Sequence, residues 1–197
     1  GMASVMQPTG SPVQISMSPS LAPSSSPTLS SEANELLSFL SDRSFDGGEA
    51  LSNSSSPQHD AFLWLLEDQR YASNNSIPYP LSTKLQRYAL STLFYATNGR
   101  DWDRNEGWLS HNTSECRWFF DGSANEVCDF KDLTSINLNA NGLQGTIPAE
   151  LALLSDSLVF LRLSQNKLGG QLPTELCRLT QLRLLASVSN QHSGPIP

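Results

Sequence analysis

From Leu133 onward the chain repeats itself, first after 25 residues and then after 24. The first unit carries Leu133, Ile136, Leu138, Asn141, Leu143, Gly145, Ile147-Pro148, Leu151 and Leu154. The second carries Leu158, Leu161, Leu163, Asn166, Leu168, Gly170, Leu172-Pro173, Leu176 and Leu179. The third carries Leu182, Leu185, Ser187, Asn190, His192, Gly194 and Ile196-Pro197. A single unit of this size cannot bury its own apolar face, so copies must stack into a solenoid. The LxxLxL segment predicts a short strand with alternate residues inward. The recurring Asn falls where the chain leaves that strand, and a buried amide there can bond backbone groups that the turn leaves unpaired. Gly permits close backbone approach, and Pro cannot donate to a ladder, which places it on the convex side.

Stacking brings the remaining strand positions into columns. These are Ser135–Phe160–Leu184, Asn137–Arg162–Ala186 and Asn139–Ser164–Val188. Side chains held on rigid parallel strands lose little entropy on binding, so the concave face is the candidate recognition surface. Phe160 beside Arg162 is a pair of types enriched at binding hot spots. The same residues can instead simply shield neighbouring strands. In the third unit Ser187 and His192 stand where leucines are expected, so the core thins and stability beyond Leu179 is expected to be marginal.

Upstream the periodicity becomes helical. Ser30 or Ser31 can cap a short helix over 31–42 bearing Leu36, Leu37, Phe39 and Leu40, stopped by Gly47-Gly48. Ser56-Pro57 starts a second helix to about Tyr71, with Ala61, Phe62, Trp64, Leu65 and Leu66 as a wide apolar face. After a loop over 74–80, a third helix runs from Ser82 to Thr97, with Leu85, Tyr88, Ala89, Leu93 and Ala96 at spacings of three and four. Asn98-Gly99 supplies its left-handed stop.

The N-terminal segment is different. Residues 1–60 hold 17 Ser and 6 Pro but a single basic residue, Arg43, and carry a charge of about −5. That composition predicts a disordered Ser/Pro-rich tail over 1–55. About −3 of the chain's net −7 belongs to residues 61–132, the rest of the helical region that spans 56–132, and the repeats over 133–197 are near +1. An acidic chain without a basic stripe argues against nucleic-acid binding. The apolar run at 61–66 is far shorter than a membrane span requires. Gly1 before Met2, and an end inside the third unit (182–197, after 133–157 and 158–181), read as a piece of a longer chain.

The pattern LxxLxLxxNxLxGxIPxxLxxLxx over 133–179 resembles the plant-type leucine-rich repeat family. Leu85-Gln-Arg-Tyr-Ala-Leu90, Asp101-Trp102, Gly107-Trp108-Leu109 and Cys116-Arg-Trp-Phe119 through Cys128 resemble that family's N-terminal cap. The segment from Ser56 to Trp64 is similar to its algal, diatom-like branch. The likeness covers about 56–197. It implies an α/β solenoid: a helical cap over 56–132, then repeats with short parallel strands on the concave face.

Cys116 and Cys128 taken alone are either two free thiols or a disulfide; the resemblance implies that they pair across the cap. Cys177 has no evident partner and reads as a small buried hydrophobe. A disulfide implies an oxidising compartment. Asn53, Asn74 and Asn112 fit the glycosylation sequon. His59, His111 and His192 are scattered, with no nucleophile, phosphate-loop or metal motif around them, so no catalytic residue, metal site or cofactor is assigned. The resemblance implies a non-enzymatic recognition module, extracellular or at the cell surface. It would bind a protein, peptide or glycan in signalling or adhesion. Two further expectations are the ectodomain of a receptor-like kinase, with membrane span and kinase outside these residues, and an intracellular scaffold.

Overall fold

A computed structural model of the chain describes residue 1 and residues 30–73, 79–111, 113–118, 128–129 and 132–197. Four α-helices come first: α1 (Ser31–Ser41), α2 (Glu49–Ser52), α3 (Pro57–Ser73) and α4 (Leu81–Ala96). A two-stranded antiparallel pair follows, β1 (Cys128–Asp129) with β2 (Asp132–Leu133). The repeats then build two parallel three-stranded sheets. One consists of β3 (Ser135–Asn137), β5 (Phe160–Arg162) and β7 (Leu184–Ala186). The other consists of β4 (Gln144–Thr146), β6 (Lys167–Gly170) and β8 (Gln191–His192). Short 3-10 turns, Ala149–Leu154 and Thr174–Arg178, return the chain between units.

The short helix expected over 31–42 is present as α1, while the disordered tail expected around it over 1–55 is corrected for the described residues 30–55; its portion over 2–29 lies outside the described residues. Ser30 caps α1 by accepting from the Ala33 amide at 3.3 Å. Asp46 accepts from the Gly48 and Ala50 amides at 2.9 and 2.7 Å and so starts α2. Leu36, Leu40 and Leu51 are fully buried in the same core as the repeats. Each such burial contributes about 1.5–3 kcal/mol. An average over sixty serine-rich residues hides three well-spaced leucines, and it is the spacing that decides whether a helix can dock.

Ser56 joins this segment to α3. Its hydroxyl bonds the Ala50 carbonyl and accepts from the His59 amide at 3.0 Å, the N-cap geometry that Ser-Pro predicts. The ladder from α4 to the repeats is also polar. The Thr97 carbonyl accepts both the Trp102 indole (2.9 Å) and the Gln144 amide (3.0 Å), while the Gln86 amide oxygen accepts from the Leu133 amide (2.6 Å). Asn98, at φ 58°, takes the left-handed position that ends the helix. Gly145 sits at φ 104° against the last turn of α4, and a Cβ there would stand 2.3 Å from the Ala96 carbonyl oxygen. Both the dihedral and the approach demand glycine.

A buried ionic cluster lies where α3 meets α4. Arg87 is 1% exposed and donates to both carboxylate oxygens of Asp68 (2.7 and 3.0 Å), to Glu115 (3.1 Å) and to the Ser110 and Thr113 carbonyls (both 3.0 Å). Trp64, Tyr79 and Trp118 face its guanidinium at 4.9–5.4 Å. All five guanidinium donors therefore have an acceptor. His111 Nδ1 lies 3.2 Å from the Asp68 carboxylate, which can only accept, and the ring stacks on Trp64 and Tyr71.

Glu150, on the first 3-10 turn, is 5% exposed and accepts from the Gln58 amide at 3.1 and 3.2 Å. Burial raises its pKa above the usual carboxylate value; burial also raises that of Glu115, against the lowering pull of Arg87. In the window above the ordinary glutamate value of 4.5, the native chain then holds more protons than the unfolded one. Stability must fall as pH rises through that window.

Two outcomes follow. Gly145→Ala should lower stability by about 2–4 kcal/mol, the sum of a left-handed alanine and an overpacked contact; urea unfolding beside Gly170→Ala, whose Cβ would meet only the Thr146 side chain, isolates the backbone clash. Glu150→Gln should melt higher than the parent chain at about pH 8, with the gap closing toward about pH 4. Thermal melts across that range that stay parallel would exclude a buried, proton-seeking Glu150.

Candidate ligand-binding face

Why the strand side chains form columns is visible in the pairing. Ser135, Ile136 and Asn137 stand opposite Phe160, Leu161 and Arg162, which stand opposite Leu184, Leu185 and Ala186. Ile136 and Leu161 are fully buried, so by strand alternation their neighbours face the other way. The recurring asparagines hold this register. The Asn166 side-chain oxygen accepts from the Asn141 and Leu143 amides (3.0 and 3.1 Å). Its NH2 donates to the Leu138, Leu163 and Ser164 carbonyls (2.8, 2.9 and 3.3 Å). Asn190 repeats the motif one unit on, accepting from Leu168 (3.0 Å) and donating to Leu163 (2.8 Å) and Ser187 (3.2 Å). Asn141 does the same to the loop after α4, accepting from the Arg104 amide (2.7 Å) and donating to its carbonyl (3.2 Å).

One local device was not legible in the sequence. Ala140, Gln165 and Ser189, each immediately before a ladder Asn, all have left-handed backbones, at φ 45°, 60° and 59°. This turn swings the chain off the strand and points the amide inward. No residue type marks it, because alanine, glutamine and serine share no preference for that region; only the repeated position gives it away.

The three candidate columns differ in what they leave free. In the third, the Asn139 side-chain oxygen accepts from the Ser164 amide (2.7 Å) and the Ser164 hydroxyl accepts from the Val188 amide (3.1 Å). Those two polar groups are engaged in tying strand ends together, while Val188 is 73% exposed. Arg104 donates to the Asn139 carbonyl (2.7 Å) at the same margin. In the other two columns Ser135 is buried and the remaining positions are more open. Asn137 is exposed, Phe160, Arg162 and Ala186 are half-buried, and Leu184 is 39% exposed. The Arg162 guanidinium lies 4.8 Å over the Phe160 ring and donates to the Ser135 hydroxyl at 3.3 Å.

At the last unit, Leu185, inward by register, is 36% exposed. Ser187 and His192, in two leucine positions, bond each other at 2.6 Å. A polar pair thus replaces apolar contact at that end.

Cys116 and Cys128 form a disulfide. Closing a loop of this length contributes up to ~3 kcal/mol by the chain-entropy estimate. Cys177 is exposed, correcting the buried reading. On the tight 3-10 turn Thr174–Arg178, Leu176 and Leu179 three apart take the inward positions and turn Cys177 out. Of the sequon asparagines, Asn53 is exposed and accepts from the Ser55 amide at 3.1 Å; Asn74 and Asn112 lie outside the described residues. Among the described residues no helix is long and apolar enough to cross a membrane, and no group of three or more His, Cys, Asp or Glu is placed to hold a metal ion.

Comparison with known proteins agrees with the second unit. The Leucine Rich Repeat family model matches residues 157–179, the stretch running from just before β5 to Leu179. No curated protein matches the chain. The chain therefore contains a leucine-rich repeat, a motif that suggests a protein-interaction module and is generally non-enzymatic.

Asn166→Ala should cost about 3 kcal/mol, because it removes the side-chain partner of two amides and three carbonyls, of which the Leu163 and Ser164 carbonyls keep another donor. Asn190→Ala, half-buried at the open end, should cost closer to about 1 kcal/mol. Urea denaturation of the two variants measures the ratio; equal losses would mean that the amides do not set the register.

Proposed function

We propose that the chain is a non-enzymatic recognition module of the plant-type leucine-rich repeat kind. Its helical N-terminal half caps a solenoid, and the β3-β5-β7 face, taken as concave, binds a protein or peptide, with a glycan as the remaining possibility for the same surface. The observation that carries this reading is the in-register pair of columns, Ser135–Phe160–Leu184 and Asn137–Arg162–Ala186, held rigid from behind by buried asparagines. A preformed surface of this kind spends little entropy on binding. The Cys116–Cys128 disulfide supports an oxidising setting, outside the cell or on its surface, and signalling or adhesion fits such a placement.

The test uses the full chain, purified with the disulfide intact. It is screened against arrays of secreted proteins, synthetic peptides and glycans, in parallel with Asn137→Tyr. Asn137 is exposed, so the tyrosine covers the face without entering the core. Binders should lose affinity by roughly tenfold or more for the variant, while its melting temperature stays that of the parent. Binders indifferent to Asn137→Tyr would place recognition elsewhere on the molecule.

A further inference from the structure

We propose that the segment recognised by this face is acidic: Arg162 receives a carboxylate set beside an apolar side chain in a peptide. The inference rests on the reading above that this sheet face is where the ligand binds, and it narrows that reading to one ligand chemistry.

Three observations carry it. The first is charge. Over residues 135–139, 160–164 and 184–188, which supply the three columns, Arg162 is the only charged residue, in a chain of net charge −7. An uncompensated cation on an otherwise acidic molecule is complementary to a local negative group. The second is preorganisation. The guanidinium is held on one side by the Phe160 ring at 4.8 Å and at one nitrogen by the Ser135 hydroxyl at 3.3 Å. Among the described residues no carboxylate lies within ion-pair distance of it. Arg87 shows what a satisfied arginine looks like in this protein, with two carboxylates and two carbonyls around its fork. Among the described residues most of the five Arg162 donors have no acceptor, and the ring and hydroxyl bias the plane of the fork, a geometry that suits a carboxylate.

The third observation separates a peptide from a polyanion. About −5 of the chain's charge lies in residues 1–60 and about −3 in residues 61–132, so a highly charged ligand is repelled at long range. Attraction at Arg162 is short-ranged. Beside it stand an exposed amide, Asn137, and exposed apolar side chains, Leu184 at 39% and Val188 at 73%. One carboxylate next to one apolar side chain fills such a surface; a chain of phosphates or sulfates does not.

A random peptide library displayed on phage, panned on the full chain, tests the idea. Enriched peptides are synthesised and titrated against the parent chain, Arg162→Gln, Arg162→Lys and Asn137→Tyr, with the melting temperature of each recorded. Enriched peptides should share an Asp or Glu adjoining an apolar residue. Arg162→Gln should weaken them by roughly tenfold or more, and Arg162→Lys, which keeps the charge but loses the planar fork, by less. Replacing the peptide's acid with its amide should produce the same loss on the parent and no further loss on Arg162→Gln. That non-additivity is a readout which mere destabilisation of the sheet does not imitate. Peptides without an acid that still lose binding to Asn137→Tyr would overturn the acidic ligand and leave the face standing. Peptides indifferent to both Arg162→Gln and Asn137→Tyr would overturn the face and the inference together, and a library that yields no enrichment counts against the inference as well.

Discussion

Buried asparagine amides decide how this molecule is put together. A parallel strand of three residues has few ladder hydrogen bonds of its own, and each unit must leave its strand by a turn that opens backbone donors and acceptors toward the interior. Leaving such groups unpaired costs about 1–3 kcal/mol each. One side chain per unit carries both a donor and an acceptor of the right reach, so a single amide closes the gap on both neighbouring turns. Asn166 does this between the first two units, and Asn141 extends the same device to the loop over 103–105. The helical half and the repeats are thereby continuous in their hydrogen bonding, not only in their apolar packing.

The helical half solves a different problem with a costlier device. Taking Arg87, Asp68 and Glu115 out of water carries a desolvation penalty of several kcal/mol per ion, and only complete pairing offsets it. The pairing here is complete, with every guanidinium donor used and three aromatic rings excluding water. Such a cluster adds little net stability over an apolar core, but it penalises any arrangement of α3, α4 and the loop over 110–118 that breaks even one contact. It therefore specifies a single relative placement of those elements. That placement positions the end of α4, where Ala96 and Thr97 receive Gln144 and Gly145 of the first strand of the second sheet.

Legibility in the sequence followed periodicity. The repeat interval of 25 and 24 residues, the strand columns and the three helices could all be read, because each is a pattern summed over many residues. Helix ends fell within a residue or two, since Ser30, Ser56 and Asn98 state their roles locally. The helix over 31–42 could be read, but α2 and the docking of Leu36, Leu40 and Leu51 into the core could not, because composition was averaged where spacing mattered. The Arg87 cluster was missed although a signal existed: Asp68 lies one turn beyond Trp64 and Leu65 on the apolar face of α3, where an ionisable residue can persist only with a partner. Cys177 was misplaced because a 3-10 turn has a different inward period from an α-helix. The candidate face is intermediate. Its columns followed from register, but which side chains are spent on the backbone depends on distances that no pattern encodes.

That last distinction reshapes the face. Asn139 and Ser164 look as available in the sequence as Asn137 and Ser135, yet their polar atoms bond neighbouring strand ends. They extend the work of the buried asparagines outward and stiffen the margin of the sheet. The burden of recognition shifts to the two columns nearer the strand centres, where Phe160, Arg162 and Asn137 stand together. The difference is one of degree: the Asn137 side-chain oxygen also accepts from the Asn139 amide, at 3.4 Å, and the Ser135 hydroxyl accepts from Arg162. An arginine on the central strand β5, braced by a ring and a hydroxyl, has less freedom left to lose when a partner arrives, so part of the entropic cost of fixing it is met within the fold.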